Sequence, residues 1–386
     1  MTMAILTEWS VPHPFGHVDG PFLRFLTPET NGSVFYTKSK GDFVGELDVT
    51  KNTVREWAIP WSGKPDGVPQ NIKFSPSGHL WFVLSGASAL VQLDPLTGIF
   101  TAYFVQAWPQ DFMFDSLGHL WFSGDTLPSA ATGIIARLTL TPVGVQYWII
   151  PPITAGLKTY GLSPNAIWVD SSNTVWISNA NMSQMTPGPC FASIAQSQFT
   201  YWSMPSLASP FNTSSPGLVV DPQAQNVWVT LKRQSLSDAV IFKYNVSNKQ
   251  CLAYPNPNPN NPINPRQILL DSQGKAWFAD TSPNGGIGAI EANPMCGTPQ
   301  PIQSQSFALQ HHIAEARIET RQVMPVSAVS VPVGTDLNVA SNGCYREFLF
   351  PPRPGLLPTG SLALNPGKVY FCETRPDTNV IGCLTI

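Results

Sequence analysis

Residues 67–84 read GVPQNIKFSPSGHLWFVL: a proline, an apolar strand, a tight polar turn and a second strand that opens on an aromatic residue. In this copy Pro69 precedes the aromatic Trp81 by twelve residues. The same spacing recurs at Pro109–Trp121, Pro164–Trp176, Pro216–Trp228, Pro265–Trp277 and Pro358–Tyr370, and a seventh copy, Pro21–Phe35, is two residues longer. Because self-similarity at a fixed spacing is the signature of repeat architectures, this repeat is expected to decide the fold.

Each copy continues beyond its aromatic residue with a third strand and usually a fourth, as in ALVQLDPLTG (89–98) followed by IFTAYFVQ (99–106). The fourth strands share a signature of their own, seen in REWAIP (55–60), YWIIP (147–151), TYWSMP (200–205), LAYP (252–255) and EFLFP (347–351). Four antiparallel strands in a repeat of about forty residues are the unit of a β-propeller blade. The sequence therefore predicts an all-β, seven-bladed β-propeller that occupies residues 1–386 as a single domain.

The two ends of the chain complement each other. The N-terminal TEWSVP (7–12) carries the fourth-strand signature with no blade in front of it, and residues 357–386 supply only a first, a second and a third strand. The simplest arrangement makes residues 5–11 the outer strand of the last blade. We therefore expect the N-terminal strand to close the ring by hydrogen bonding.

Blade six departs from the pattern, because an insertion of about fifty residues (292–343) separates its third strand from its fourth. Within the insertion, FALQHHIAEARIETRQV (307–323) is predicted to form a short amphipathic helix, and the rest is predicted to be irregular loop. A connection of this kind leaves the propeller on the face opposite the usual binding mouth. The insertion is therefore expected to be a brace or a contact surface for a protein partner.

The composition excludes several classes of partner. Only 12% of the residues are charged, and a net charge of −3 gives no attraction for nucleic acid or for anionic membranes. No apolar run is long enough to span a bilayer. The 38 prolines and 29 glycines suit short strands joined by tight turns.

The six cysteines leave two alternatives open. Cys372 could pair with Cys383 across adjacent strands, and Cys296 with Cys344 at the base of the insertion, or all six could be buried free thiols. Asn-X-Ser/Thr sequons occur at Asn31, Asn181, Asn212 and Asn245. Together these features favour a secreted or otherwise extracytoplasmic protein whose signal is not part of this sequence, although a cytoplasmic location stays open.

With the repeat established, the chain resembles the streptogramin B lyase family of seven-bladed propellers over nearly its whole length apart from the insertion. The resemblance is clearest in DSQGKAWFADTSPNGGIGAIE (271–291), DSLGHLWFSG (115–124) and PGKVYFCETRPDTNVIGCL (366–384). It implies a lyase that opens a cyclic depsipeptide at its ester by elimination, with a divalent cation such as magnesium and with histidine and glutamate side chains at the central mouth. No histidine here follows an aromatic second strand, so the motif assigns the family's histidines to no position.

Propeller geometry directs the search for a site to the mouth, where the connections between blades and those from second to third strands converge. One set of candidate ligand-binding residues directly follows the repeat prolines: Gln70, Gln110, Asn165, Arg266 and Thr359. These polar side chains either contact a small-molecule ligand in the mouth or only satisfy loop carbonyls.

A second set lies three residues after the repeat aromatics of blades six, seven and one: Asp280, Glu373 and Lys38. Because adjacent carboxylates repel each other, a divalent cation such as Mg²⁺ or Ca²⁺ between Asp280 and Glu373 would stabilise both. The connector HPFGHVDGP (13–21) is expected to reach the same arc.

The connector carries His13, His17 and Asp19. His17 or His13 could then remove an α-proton as general base while a metal polarises the carbonyl, with Lys38 as a further catalytic group. In the alternative interpretation, Lys38 only neutralises Glu373 in a surface pair.

Two functions follow from these features. The first is a metal-assisted lyase that opens a cyclic ester or lactone at the mouth, with a lactone hydrolase as a weaker variant and no organic cofactor. The second is a non-catalytic secreted or surface propeller that binds a ligand or a protein partner. His79 and His119 occupy equivalent first turns and are predicted on the opposite face, and the repeat tryptophans are predicted to pack blade against blade.

Overall fold

A computed structural model of the chain gives the architecture. It describes residues 4–11, 23–28, 32–38, 43–61, 68–126, 133–151, 153–155, 158–160, 163–179, 189–195, 198–203, 217–231, 240–248, 251–255, 263–282, 286–290, 299–303, 305–308, 312–317, 323–325, 328–333, 335–340, 343–349, 357–374 and 379–385. The description of strands 299–349 is confined to their backbone. Among the described residues there is no α-helix, and therefore none long and apolar enough to cross a membrane.

The strands are numbered in chain order, beginning with the N-terminal strand β1, Ala4–Val11. Blade one consists of β2 Leu23–Pro28, β3 Ser33–Lys38, β4 Phe43–Asp48 and β5 Thr53–Ala58. Blade two consists of β6 Pro69–Phe74, β7 Leu80–Leu84, β8 Ala89–Asp94 and β9 Ile99–Phe104, with a 3₁₀ turn at Ser85–Ala87. Blade three consists of β10 Ala107–Phe114, β11 Leu120–Thr126, β12 Gly133–Leu140 and β13 Val143–Ile149.

A hairpin formed by β14 Ile153–Ala155 and β15 Lys158–Tyr160 leads into the next blade. Blade four consists of β16 Pro164–Val169, β17 Val175–Asn179, β18 Pro189–Ala195 and β19 Gln198–Ser203. Blade five consists of β20 Leu218–Val220, β21 Asn226–Leu231, β22 Val240–Asn245 and β23 Cys251–Pro255.

Blade six begins with β24 Pro265–Leu270, β25 Ala276–Asp280 and β26 Gly286–Ile290. The insertion follows as β27 Pro299–Gln303, β28 Gln305–Ala308, β29 His312–Arg317, β30 Val323–Pro325, β31 Ala328–Val333 and β32 Thr335–Ala340. Blade six then ends with β33 Gly343–Leu349. Blade seven supplies β34 Leu357–Asn365, β35 Lys368–Thr374 and β36 Asn379–Thr385.

The N-terminal strand closes the ring as predicted. β1 pairs antiparallel with β36 and so becomes the fourth strand of blade seven, with Leu6 opposite Leu384. Each of the other six blades forms an antiparallel sheet whose first four strands follow chain order from the centre outwards. The predicted all-β, seven-bladed propeller is confirmed.

The hydrophobic core is divided into seven clusters, one for each contact between neighbouring blades. Trp81 of blade two, for example, packs with Phe112 and Phe122 of blade three, and Trp277 of blade six packs with Leu6 and Val369 of blade seven. Because a buried aromatic side chain removes about 150–250 Å² from water, these residues dominate the contact between sheets. The predicted role of the repeat tryptophans in blade-to-blade packing is confirmed.

A carboxylate in the first turn orients the repeat tryptophan in several blades. The indole Nε1 of Trp176 donates to Asp170 Oδ2 at 2.8 Å, and Trp121 and Trp277 do the same with Asp115 and Asp271, each at 2.9 Å. The other oxygen of Asp170 accepts two backbone N–H groups of its own turn. One side chain therefore fixes the turn and satisfies a buried indole N–H, which would otherwise cost about 1–3 kcal/mol.

The two predicted turn histidines lie in these first turns. His79 is exposed, and its backbone N–H donates to Ser75 Oγ. His119 is partly buried and contacts Asp115 Oδ2 through Nδ1 at 2.9 Å. Because the first-to-second-strand turns lie at the end of the ring away from the mouth, both histidines are placed as predicted.

The insertion forms strands that run along the outer edges of the blades, and β27–β32 (residues 299–340) are called the belt below. In chain order the belt strands pair with β19 of blade four, β13 of blade three, β9 of blade two, β5 of blade one, β1 of blade seven and β33 of blade six. The chain thus passes around the ring in the direction opposite to the blades. Among the described strands, blade five has four and the other six blades have five each.

The belt corrects two predictions for the insertion. The helix predicted over 307–323 is wrong, because residues 312–317 form β29 and exchange ladder hydrogen bonds with β9. The insertion also lies at the outer rim and not on the face opposite the mouth, since its partners are the outermost strands. The physical reason is the same in both cases: the outer edge of a sheet offers unpaired N–H and C=O groups that an added strand satisfies.

Cys372 and Cys383 are buried free thiols, so of the two alternatives for this pair the free thiols are confirmed and the disulfide is excluded. The strand register explains this, because Cys372 lies opposite Ile381 and Cys383 lies opposite Tyr370. Burial raises the pKa of the Cys383 thiol, which keeps it protonated and unreactive. For the second predicted pair, Cys296 lies outside the described residues.

We expect the propeller to remain folded but to be less stable when the belt is excised. Ile290 and Tyr345 are opposite each other in the β26–β33 ladder, so residues 291 and 344 are opposite as well and a two-residue Asn-Gly turn can replace residues 292–343. The shortened chain should keep its β-rich circular dichroism and melt roughly 5–10 °C lower, because six edge ladders are lost. Amide exchange should accelerate in the six outer strands that lose a partner, β1 among them, since each then keeps only one ladder. An unchanged melting temperature with equal protection of β1 would show that the belt is not a brace.

Candidate functional site

Lys38, the predicted catalytic lysine, is completely buried and forms an ion pair with Glu56 of its own blade. Tyr36 donates its hydroxyl to the same carboxylate at 2.7 Å. Its ring lies across Gly45, where a Cβ atom would come within 2.1 Å of the ring. Burial lowers the pKa of Lys38, and the Glu56 carboxylate opposes that shift. The structure thus places Lys38 in a buried polar cluster inside blade one.

Asp280, the predicted metal ligand of blade six, is also fully buried. Its Oδ1 accepts the backbone N–H groups of Asn264 at 2.6 Å and Ser282 at 3.0 Å, and its Oδ2 accepts the Ser282 hydroxyl at 2.8 Å. Asp280 thereby links the connection that enters blade six to the turn that follows its second strand. Burial nevertheless raises the pKa of Asp280, so the ionised form lacks sufficient compensation.

The residue whose backbone N–H binds Asp280, Asn264, has a buried side-chain oxygen, Oδ1, without a partner among the described residues. In blade four, Asn179 Oδ1 occupies the position of Asp280 and accepts the backbone N–H of Ser163 at 3.3 Å. The amide of Asn179 shows that this connection can be held without a charge.

The side chains of the other residues in the predicted arc lie outside the described part of the chain. His13, His17 and Asp19 lie outside the described residues. Glu373 lies in β35 opposite Pro358, and only its backbone is described. Among the described residues no group of three or more histidine, cysteine or acidic side chains is placed to hold a metal ion.

The predicted ligand-binding residues lie where the inner strands bulge at the mouth. Register shifts interrupt the first ladder just after the repeat proline in blades two, three, four, six and seven, so the positions of Gln70, Gln110, Asn165, Arg266 and Thr359 fall at or beside bulges. Arg266 is exposed, the first three side chains are partly exposed, and the side chain of Thr359 lies outside the description. A bulge re-aims side chains, so these residues are available to line the mouth.

Backbone carbonyls at these bulges join neighbouring blades. Ser123 of blade three donates its hydroxyl to Asn165 O of blade four at 2.8 Å, and Thr230 of blade five donates to Arg266 O of blade six at 2.9 Å. Gly217 lies so close to blade six that a Cβ atom would approach Arg266 O to 2.1 Å. At the mouth, backbone groups at the bulges therefore hold neighbouring blades together.

Asp125, which sequence reasoning missed, is the acidic group at this mouth with the chemistry of an acid–base residue. It lies near the end of β11, is only 9% exposed and makes a long contact of 3.5 Å with the Ser163 hydroxyl of the next blade. Burial raises the pKa of Asp125 to about 6, and the Ser163 contact opposes the shift. A carboxyl with such a pKa exchanges its proton near neutral pH.

Local packing holds Asp125 in place. Asp125 and Trp108 are partners in the β10–β11 ladder, and the preceding Gly124 permits the close approach of the strands, since a Cβ atom there would lie 2.4 Å from Trp108 O. Ser163 is fixed in turn by its N–H bond to Asn179. The available signal in the sequence was an aspartate directly after a glycine at the mouth end of a second strand.

Asp111 on the first strand of blade three binds the blades on either side. Its Oδ1 accepts Lys73 of blade two at 2.8 Å, and its Oδ2 accepts the Ile167 N–H of blade four at 3.1 Å. In blade six, Gln267 takes the same position and accepts the N–H of Leu362 of blade seven at 2.6 Å. Because a neutral amide performs the same task, Asp111 is assigned to structure.

Comparison with solved structures supports the fold over the full length of the chain. A catalytically inactive virginiamycin B lyase from Staphylococcus aureus with quinupristin matches with a TM-score of 0.65 and 16% identity over 99% of both chains. A streptogramin B lyase structure matches with a TM-score of 0.62 and 17% identity over 98% of both chains. The extracellular domain of a putative hybrid two-component system from B. thetaiotaomicron matches with a TM-score of 0.52 and 9% identity, covering 97% of this chain and 39% of that one.

No protein family model matches the sequence, and no curated protein matches it significantly. At identities of 9–17% the structural likeness is a likeness of fold. The resemblance predicted from the repeat phrases therefore holds for the seven-bladed architecture.

Replacing Asp280 with asparagine should change how stability depends on pH. Because the folded-state pKa of Asp280 is raised, its contribution is greatest below its unfolded pKa of about 4 and is lost as pH rises through the folded value. Asp280→Asn keeps an acceptor for Asn264 and lacks the charge. We expect the variant to equal or exceed the wild type in unfolding free energy at pH 7 and to be the less stable of the two at pH 4. Denaturant unfolding at the two pH values measures this, and parallel pH profiles would contradict it.

Proposed function

We propose that this propeller is a carbon–oxygen lyase that opens a cyclic ester at its central mouth, with Asp125 as the general base. The observation that carries the proposal is the Asp125 carboxyl, almost fully buried at the mouth with its pKa raised to about 6. The likeness of fold to two streptogramin B lyase structures supports the reaction class. Perturbed carboxyls of this kind concentrate at catalytic sites.

The chemistry requires one proton transfer and one bond cleavage. The Asp125 carboxylate removes a proton from the carbon adjacent to the one that bears the ester oxygen, and the electron pair of that C–H bond forms a C=C bond. The C–O bond breaks, and the ester oxygen leaves as part of a carboxylate. The ring opens without water, and substrate and product have the same composition. The Ser163 hydroxyl is a positioning group for Asp125.

The partly exposed polar side chains at the bulges are suited to hold such a substrate. Gln70, Gln110 and Asn165 can donate to ester and amide carbonyls, and the exposed Arg266 guanidinium can attract the developing carboxylate. Because a cyclic peptide ester presents many carbonyls, a ring of amide donors is an appropriate recognition surface.

A divalent cation beside Asp280 is part of the proposal. The buried carboxyl of raised pKa and the orphaned Asn264 Oδ1 fit an oxygen-seeking ion such as Mg²⁺ or Ca²⁺, which Asp280, Asn264 and the predicted ligand Glu373 would hold. When bound, such an ion would polarise a substrate carbonyl. His13 and His17 are proposed as further general bases. The predicted extracytoplasmic location is also part of the proposal.

Activity against cyclic esters tests the role of Asp125. The wild type should open a cyclic depsipeptide to a linear product of unchanged mass, whereas a lactone hydrolase would add the mass of one water. Asp125→Asn should lose about 10²–10⁴-fold in kcat, the usual contribution of a general base. In the wild type kcat/KM should rise with pH through about 6, because the carboxylate form is active.

Matched variants separate catalysis from folding. Ser163→Ala should move the midpoint of the pH–rate profile upwards, since the hydroxyl lowers the pKa of Asp125. Asp94→Asn, in an exposed turn of blade two, should leave the rate unchanged. Full activity in a folded Asp125→Asn variant would overturn the assignment. A wild type that binds such rings without opening them would favour the non-catalytic ligand-binding propeller.

The cation is tested by stability as well as by activity. Millimolar Mg²⁺ or Ca²⁺ should raise the melting temperature of the wild type, and a chelator should reverse the rise, since an ion that binds only the folded state stabilises it. Asp280→Asn should be insensitive to both, because the charged ligand is gone. Equal responses in wild type and variant would show that no cation binds at Asp280.

A further inference from the structure

A second cavity lies on the face opposite the mouth, between blades five and six. Its volume is about 620 Å³, and the first turns of the two blades form its walls. Its lining includes the polar residues Asp221, Gln223, Lys243, Asp271, Ser272 and Lys275. This space is called the far-face cleft below.

The corresponding turns of two other pairs of blades are joined directly. Between blades three and four, the Ser116 hydroxyl donates to Asn173 Oδ1 at 3.1 Å. Between blades four and five, the Ser171 hydroxyl donates to Pro222 O at 3.2 Å. Between blades five and six the turn residues Gln223 and Ser272 border the far-face cleft instead.

The two acidic residues of the cleft are already occupied. Asp221 Oδ1 accepts the N–H groups of Gln225 and Asn226, and its Oδ2 accepts Asn226 Nδ2 at 2.6 Å. Asp271 accepts two backbone N–H groups of its turn and the indole N–H of Trp277. These hydrogen bonds fix both carboxylates in the turns, and their negative charges remain beside the two lysines.

The two lysines present cations from opposite walls. Lys243 Nζ lies 5.3 Å from the centre of the Trp228 ring, and Lys275 Nζ lies 5.3 Å from the centre of the Trp277 ring. Arg137 occupies the position of Lys243 in blade three, and it donates to Gln146 Oε1 at 3.2 Å. In the far-face cleft Lys243 contacts the Trp228 ring and lines the cavity, where a ligand could accept its ammonium N–H groups.

We propose that the far-face cleft is a second ligand site that binds a small anion, carrying a phosphate or a carboxylate group, between Lys243 and Lys275. Both groups accept charge-assisted hydrogen bonds from ammonium donors, which are about twice as strong as neutral ones. Burial lowers the pKa of Lys243, and the Asp221 carboxylate opposes this shift. A bound anion would raise the pKa of Lys243, as Asp221 does, so at high pH binding should be accompanied by proton uptake.

Inorganic phosphate and citrate are suitable probes, added at constant ionic strength to the full chain. Each should raise the melting temperature of the wild type beyond the effect of chloride, and the larger effect identifies the preferred group. Lys243→Met and Lys275→Met should each weaken the apparent affinity roughly tenfold or more, the cost of one charge-assisted hydrogen bond. Lys51→Met removes an exposed lysine of blade one and should keep the full response.

Chemical labelling gives a readout that does not depend on the variants folding. Phosphate or citrate should protect Lys243 of the wild type from acylation by an amine-reactive ester, followed by peptide mass spectrometry, and should leave Lys51 unprotected. Equal thermal responses in all variants, or equal labelling of Lys243 with and without the anions, would overturn the proposal. Since the far-face cleft is remote from Asp125, the result is independent of the proposed lyase activity.

Discussion

The propeller depends on the packing of buried repeat aromatics between blades, and in blades three, four and six a hydrogen bond from the indole to a turn carboxylate orients the repeat tryptophan. In blade four, Asp170 binds two N–H groups of its own turn and the Nε1 of Trp176. The turn then has one shape, and the ring has one orientation in the contact with the next blade. The twelve-residue spacing from proline to aromatic is shared by blades two, five and seven, so it sets the position of the aromatic residue in every such blade, with or without this bond. Once each blade presents the same face to its neighbour, seven copies and a closing strand complete the ring.

Function is proposed where the repeat is broken. Asp111 and Gln267 are interchangeable acceptors between inner strands, and Asn179 performs in blade four the task of Asp280 in blade six. These equivalences distinguish polar residues that hold the blades together by hydrogen bonds from polar residues whose charge exceeds what such bonding needs. Asp125, with a raised pKa and one long contact among the described residues, exceeds those needs.

The ring and its closure were predictable because both are written in local patterns that recur at fixed spacing. The belt was not predictable, because its strands pair with remote blades and local periodicity does not indicate such partners. The stretch IAEARIE (313–319) fits the alternation of a strand as well as it fits the period of a helix. Lys38 was placed correctly at the end of its strand, but its partner Glu56 lies two strands away in the same sheet. Asp125 was not predicted because the candidate position in each repeat is the third after the aromatic residue, whereas Asp125 is the fourth after Trp121.

The path of the belt sets an order of events during synthesis. Residues 299–340 leave the ribosome after blades one to four are available, so five of the belt's ladders have partners waiting. Blade seven comes last, and until then β1 has β31 as a partner but not β36. The belt can therefore hold the N-terminal strand at the gap while the final strands are made. In reverse, spontaneous opening of the finished ring must break two ladders on β1 at once, which favours a long native lifetime.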